Sequence, residues 1–422
     1  MGNLKFEGDL THIAEAQQKY IAKVLEELGY SHQTVVFSML GKVGDNYMAN
    51  VRRISIRHNN GKTFKMIAKI AVQDPVTRHL MNTGLAFKNE GLAYTVVFPK
   101  YTEMEEAANV PENQRFRYPK CYGVNFEEPM EVILLEDMTE TGHEMLNKLD
   151  PLSDDIVKLV LDDLAHLHAL SYAWKHEDSE AYDSLKAKLD TPWNHIGNSE
   201  ASTQFFGQLE QQVMAWLEDE EVKNQFKGLF TEMSTAVMDR YKKDFNSKFS
   251  VIHHGDTWTN NFLMKMKVSI EGKLQDFLLF LLMIKSNKPA SDLLYLFFTS
   301  TLHEQRVKHL KDWIKTYHNS LDKHLAPFGL KAAYVLPEER LELDIKEHAD
   351  TALRLSLILT IMTLREASET LEMLNSEKGE DGLPIDNKDL MEVKVETLKR
   401  LQERARGMFD SMYEFGYVQG KK

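Results

Sequence analysis

At 422 residues the chain exceeds one ordinary domain, and its 43% hydrophobic and 27% charged content excludes an intrinsically disordered protein. A formal net charge of −13 excludes nucleic acid as the main partner, because no basic field offsets phosphate repulsion. Cys121, the one cysteine, cannot close an internal disulfide and suits a reducing compartment.

The opening M-G-N-L-K-F-E-G-D-L has no apolar signal core, and Phe6 stands where N-myristoylation wants Ser or Thr. Leu355–Leu364, the most apolar later stretch, is too short to span a bilayer and is flanked by Arg354 and Arg365. The expected location is cytoplasmic. Leu10, Ile13, Ile21, Leu25 and Leu28 recur at helical spacing and predict an amphipathic helix over residues 10–29. Ser38 to Ile56 reads as strand, turn, strand with Gly41 and Gly44 at the turn, and such a turn either covers nucleotide phosphates or is only a turn. Phe64 to Val72 reads as a strand with Lys69 among apolar residues, either facing solvent or serving as a phosphate-orienting cation. Thr83 to Pro99 places Phe87, Glu90 and Tyr94 at helical spacing.

Glu131 to Met138 (E-V-I-L-L-E-D-M) is an apolar strand ending in acids. Beyond it the pattern turns helical. Ile156 to Trp174 carries His166 and His168, which read as packing histidines before ligands or bases. Residues 180–250 predict helices and a loop. From Glu304 the chain is again helical, apart from a turn at Pro327 and Gly329 and a charged loop over Ser376–Leu390.

Between these helical stretches lies Val251 to Lys265, V-I-H-H-G-D-T-W-T-N-N-F-L-M-K, which predicts strand, loop, strand. The loop carries His254, Asp256 and Asn261 in the spacing H-x-D-x-x-x-x-N. That grouping meets the needs of a phosphoryl-transfer loop: a carboxylate to take the proton of an attacking hydroxyl, and a carboxamide to hold magnesium. The bland alternative is a polar loop between two strands.

The wider string H-G-D-x-W-x-x-N, His254 to Asn261, resembles the aminoglycoside phosphotransferase and choline kinase superfamily. Within it the match looks like the ecdysteroid kinase-like (CHK kinase-like) family. The resemblance runs from about residue 30 to about residue 320 and implies an α+β, protein kinase-like two-lobed fold. Its small antiparallel-sheet lobe would span residues 1–137 and its larger, mostly helical lobe residues 138–422. It further implies an ATP- and Mg2+-dependent phosphotransferase acting on a small-molecule hydroxyl, that of an ecdysteroid or related lipophilic alcohol, with no protein partner. In that reading Asp256 is the base, Asn261 a magnesium ligand and His254 structural. Lys69 binds phosphate and Glu90 pairs with it. Gly41 and Gly44 (the latter within G-D-N-Y) cover the nucleotide, and the backbone around Glu136 forms the adenine-binding hinge. Asp292 hydrogen-bonds the catalytic-loop backbone, or else caps the helix Leu293–Thr299.

One departure stands out. The family places a second metal-binding aspartate in D-F-Q, but counting back from Pro289–Tyr295 (P-A-S-D-L-L-Y) lands on Phe280-Leu281-Leu282. An Asp-Phe pair does occur nearby at Asp276-Phe277, but four residues early. Three accounts compete: the aspartate is lost, Asp276 substitutes through a shifted strand, or the sequence is in error here. Loss would make the chain a pseudokinase that binds nucleotide or ligand without catalysis. A protein kinase is a weaker reading, for no A-P-E segment lies between Leu282 and Asp292.

Overall fold

The computed structural model describes residues 4–41, 49–58, 61–75, 77–78, 82–191, 200–217, 219–265, 276–279 (backbone), 283–366, 368–370 and 393–418. The N-terminal lobe is built on six strands: β1 (Lys5–Gly8), β2 (Thr34–Met39), β3 (Ala49–Arg57), β4 (Thr63–Ala71), β5 (Cys121–Asn125) and β6 (Val132–Glu136). Their order is β1-β2-β3-β4-β6-β5, antiparallel throughout except where β1 runs parallel to β2. The short β1 is absent from the sequence expectation, because four residues with one aromatic carry no period.

Side-chain alternation decides which face of β4 does what. Met66, Ala68 and Ile70 pack with Ile21, Val24 and Leu25 of the helix Glu15–Glu27. Ile67, Lys69 and Ala71 therefore take the other face, where Val51 of β3 stands opposite Lys69. The expected helix from Thr83 does not stop at Pro99. It runs Thr83–Leu92, makes one π turn over Ala93–Val97, and resumes as Phe98–Ala107. Pro99 is tolerated because it falls in the first turn after the π segment, where a missing N–H costs least.

β6 leads out of this lobe. Asp137 follows it, capping the short turn Met138–Thr141 through Thr139 N, and Arg53 of β3 clamps its carboxylate at 2.5 Å. The chain then adds β7 (Glu144–Met145) and the long helix Asp154–Glu177, N-capped by Ser153. Two small sheets carry the loop region: β10 (Asp276–Leu279)–β9 (Phe262–Lys265)–β7, and β11 (Lys285–Asn287)–β8 (Val251–His253). Helices Pro289–Ser300, His303–Leu325, Glu338–Thr363 and Val395–Glu414 complete a mostly helical lobe, with Gly329 (φ +68°) at the expected turn. This is the protein kinase-like, two-lobed α+β fold. The expected loop Ser376–Leu390 lies outside the described residues. No helix among the described residues is long and apolar enough to cross a membrane.

Candidate active site

The loop after β8 is held from beneath. Asp292, buried on the helix Pro289–Ser300, accepts hydrogen bonds from His254 N at 2.8 Å and Gly255 N at 2.9 Å. His168 Nε2 lies 3.2 Å and His253 Nδ1 3.0 Å from the same carboxylate, and Thr257 Oγ1 donates to the Asp292 carbonyl at 2.8 Å. Burial pushes the Asp292 carboxyl up, but His253 and His168 outweigh it and hold the group well below the ordinary range. The alternative of an N-cap at Asp292 is corrected: the helix starts at Pro289, so Asp292 already lies inside its first turns.

His254 is buried and its Nδ1 accepts from Asp256 N at 3.2 Å. Burial lowers its pKa to about 4, so it is neutral at physiological pH. Asp256 stands above it. The side chain of Asn261 donates from Nδ2 to the Asp256 carbonyl at 2.7 Å and to Oδ2 at 2.8 Å. Burial raises the Asp256 pKa above the ordinary 3.8, and the opposing pull of Asn261, Tyr295, Trp258 and Lys285 is smaller.

From the other lobe, Lys69 is buried and ion-paired with Glu90 of the helix Thr83–Leu92. Burial lowers the Lys69 pKa, while Glu90 and, across the cleft, Asp256 draw it up. Lys69 thus lines an interlobe cleft, with Asp256 of the other lobe near enough to act on it. Leu40, Val51 and Ile67 form the roof of that cleft, Met145 and Leu263 its floor, and Glu136 to Thr139 its back wall. The Glu136 carboxylate is itself engaged, accepting from Lys120 N at 3.2 Å. Gly41 (φ +81°) also lines the cleft, whereas Gly44 lies outside the described residues.

Asp276 is not brought to this site. Its backbone pairs with Lys265, while the rung nearest Asn261 is Leu279–Phe262, about 10 Å back along the strand. Phe280-Leu281-Leu282 lies outside the described residues. Among the described residues no group of three or more His, Cys, Asp or Glu could hold a metal. The donors present are the hard oxygens of Asp256 and Asn261, and Asn261 turns its amide nitrogen to Asp256, leaving Oδ1 as its acceptor. That set fits a magnesium ion held chiefly by phosphate oxygens and water.

Several residues of the site escape sequence reasoning. Tyr295 stands one turn after Asp292 inside the quoted P-A-S-D-L-L-Y, and His168 supports Asp292 from the helix Asp154–Glu177. Lys285 comes with β11, whose three polar residues give no strand signal.

The ecdysteroid kinase-like family model matches residues 43–330, more than half of the chain. The chain belongs to the ecdysteroid kinase-like family. That match contains Lys69, Glu90, Asp256, Asn261 and Asp292 alike. Among solved structures, this family member is similar to a macrolide 2'-phosphotransferase from Brachybacterium faecium. The two share 13% identity with a TM-score of 0.33, over 86% of this chain and 99% of that one. No curated protein matches the chain.

Proposed function

We propose that the protein transfers the γ-phosphoryl group of ATP to a hydroxyl of a small molecule. One observation supports this reading: the buried Lys69–Glu90 pair lines an apolar slot between the lobes, and Asp256, held by Asn261, is close enough to act on Lys69. The slot suits an adenine ring, with the backbone around Glu136 and Asp137 as its polar edge, and the lobe boundary is placed at Asp137. Lys69 orients the α- and β-phosphates and Glu90 holds its ammonium in place. Asp256 accepts the proton of the acceptor hydroxyl as that oxygen bonds to the γ-phosphorus and the bond to the β,γ-bridging oxygen breaks, releasing ADP. Magnesium, when bound, neutralises charge on the phosphates, and Asn261 Oδ1 would hold it.

The proposed acceptor is an ecdysteroid or a related lipophilic alcohol, because the family is named for such chemistry. Incubating the protein with MgATP and a panel of hydroxylated steroids, and following phosphorylated product by mass spectrometry, tests it. Failure to form product at any magnesium or manganese concentration defeats it.

A pseudokinase is the second reading. Phe280 stands where the family resemblance expects a metal-binding carboxylate, and the pairing of Asp276 with Lys265 sets it about 10 Å along β10 from the rung nearest Asn261. Thermal stabilisation by ATP that persists in EDTA, with no product, favours this reading. Product formation gained by Phe280→Asp shows that the lost carboxylate is the cause.

A further inference from the structure

Lys285 acts on Asp256, yet the reading above gives it no part. It sits on β11 directly opposite His253 of β8, so the two side chains share a face of that ladder. His253 uses that face to reach Asp292, 3.0 Å away. The segment just before Lys285 wraps the catalytic loop, with Met283 N donating to His254 O at 3.0 Å. The Lys285 ammonium therefore stands beside the turn that presents Asp256. Both Asp256 and Asp292 act on it electrostatically, against a burial that lowers its pKa.

Yet among the described residues Lys285 makes no hydrogen bond and no ion pair. Its neighbours differ. Lys288, three residues on, is met by Asp344 at 2.7 Å and Asp244 at 3.1 Å, and Lys69 by Glu90. Asp292 is already served by two backbone N–H groups and two imidazoles, and Asp256 by Asn261. Neither needs the lysine. A half-buried cation without a partner is unfavourable unless an anion arrives to meet it. Of the two carboxylates that act on Lys285, Asp256 is the one beside which the kinase reading places the γ-phosphoryl group.

We propose that Lys285 contacts the γ-phosphoryl group of bound ATP and supplies positive charge there in place of metal that a D-F-Q carboxylate would help to bind. The idea rests on the kinase reading. The site would then discriminate ATP from ADP through a side chain, with reduced dependence on metal.

Calorimetric titration of ATP and ADP into wild type, K285M and K285R, in EDTA and in magnesium, tests this, together with the melting temperature of each free protein. Losing one charge-assisted contact should weaken ATP binding by K285M about tenfold, most visibly in EDTA, and change ADP binding less than about twofold. K285R should recover most of the preference for ATP. Free K285M should melt higher than wild type, since a half-buried charge without a partner is gone. An unchanged ATP-to-ADP affinity ratio in K285M overturns the proposal. So does a lower melting temperature with both nucleotides weakened alike, which marks a structural lysine. If the wild type binds neither nucleotide, with or without magnesium, the kinase reading falls and takes this proposal with it. Wild-type binding with an insensitive K285M removes only the latter.

Discussion

Asn261 grips Asp256 at two points, its Nδ2 reaching the main-chain carbonyl at 2.7 Å and the carboxylate Oδ2 at 2.8 Å. The first bond closes the turn and the second fixes the rotation of the carboxylate, so one side chain sets both the loop and the direction in which Asp256 points. Asn261→Ala removes both bonds and the amide oxygen. Transition-state positioning of this kind is typically worth 10²-fold or more, so kcat/KM should fall by about 10²-fold with a higher magnesium requirement. Steady-state kinetics across a magnesium series reads both effects.

Asp256 is held ionised at some cost. Burial raises its pKa above 3.8, so stability is complete below the unfolded-state pKa and declines as pH rises through the folded value. Asp256→Asn removes that cost. Its melting temperature should exceed wild type at pH 7, with the gap closing in acid, while turnover falls about 10²- to 10⁴-fold. Calorimetry from pH 3 to 8 follows the first effect. The wild-type rate should lose activity on the acid side at a pH above the ordinary carboxylate value.

Lys69 and Glu90 are 4% and 5% exposed, so neither charge has water to fall back on. Lys69→Met leaves a buried carboxylate alone and should destabilise the fold by about 3–5 kcal/mol. Adding Glu90→Gln should return much of that stability without restoring nucleotide binding. Urea unfolding of both variants, together with ATP titration, separates the structural from the functional part of the pair.

The features that were legible in the sequence share a property: their chemistry and their period coincide on a short stretch. The loop after β8 sets His254, Asp256 and Asn261 between two apolar runs, and β4 shows its alternation around Lys69. Lys69 also shows the limit, since alternation says only that it opposes the Met66–Ala68–Ile70 face, and whether that side meets solvent or a cleft depends on residues 21 positions away. The support beneath the loop was less visible. His168 reaches Asp292 across 124 residues, and β11 forms because β8 is there to pair with, not because Lys-Ser-Asn favours a strand. The π turn before Pro99 likewise follows from packing, since proline alone reads as a stop.

Asp292 runs opposite to Asp256 in its pH behaviour. Its depressed pKa means that its contribution is complete above the unfolded-state pKa and is lost as pH falls through the folded one. Asp292→Asn replaces one of the acceptors facing His254 N and Gly255 N with an amide donor, and should cost about 3 kcal/mol at pH 7. The difference from wild type should shrink toward low pH, as thermal melts between pH 2 and 7 would record. A gap independent of pH would mean that the carboxylate's charge contributes nothing.

Gly255 separates His254 from Asp256, and two independent features demand glycine there. Its φ is +83°, a conformation that side chains disfavour, and a Cβ on it would lie 2.2 Å from the Met283 carbonyl oxygen. The obstacle is main chain, so relief requires moving either the loop or the strand that follows Met283. The loop is tied to Asp292 through Gly255 N, and Met283 N is tied to His254 O at 3.0 Å, so either movement breaks a buried hydrogen bond. Gly255→Ala should therefore cost more than the roughly 1 kcal/mol of an ordinary left-handed glycine, on the order of 3 kcal/mol, and displace Asp256 enough to abolish turnover. Gly329, also left-handed (φ +68°) but with open space around it, is the control, and Gly329→Ala should lose only about 1 kcal/mol and no activity. Comparing the two variants by urea unfolding and activity isolates the contact with Met283 from the backbone conformation. Equal destabilisation of both would show that the loop yields to the clash, and that the close approach of residues 255 and 283 does not fix the position of Asp256.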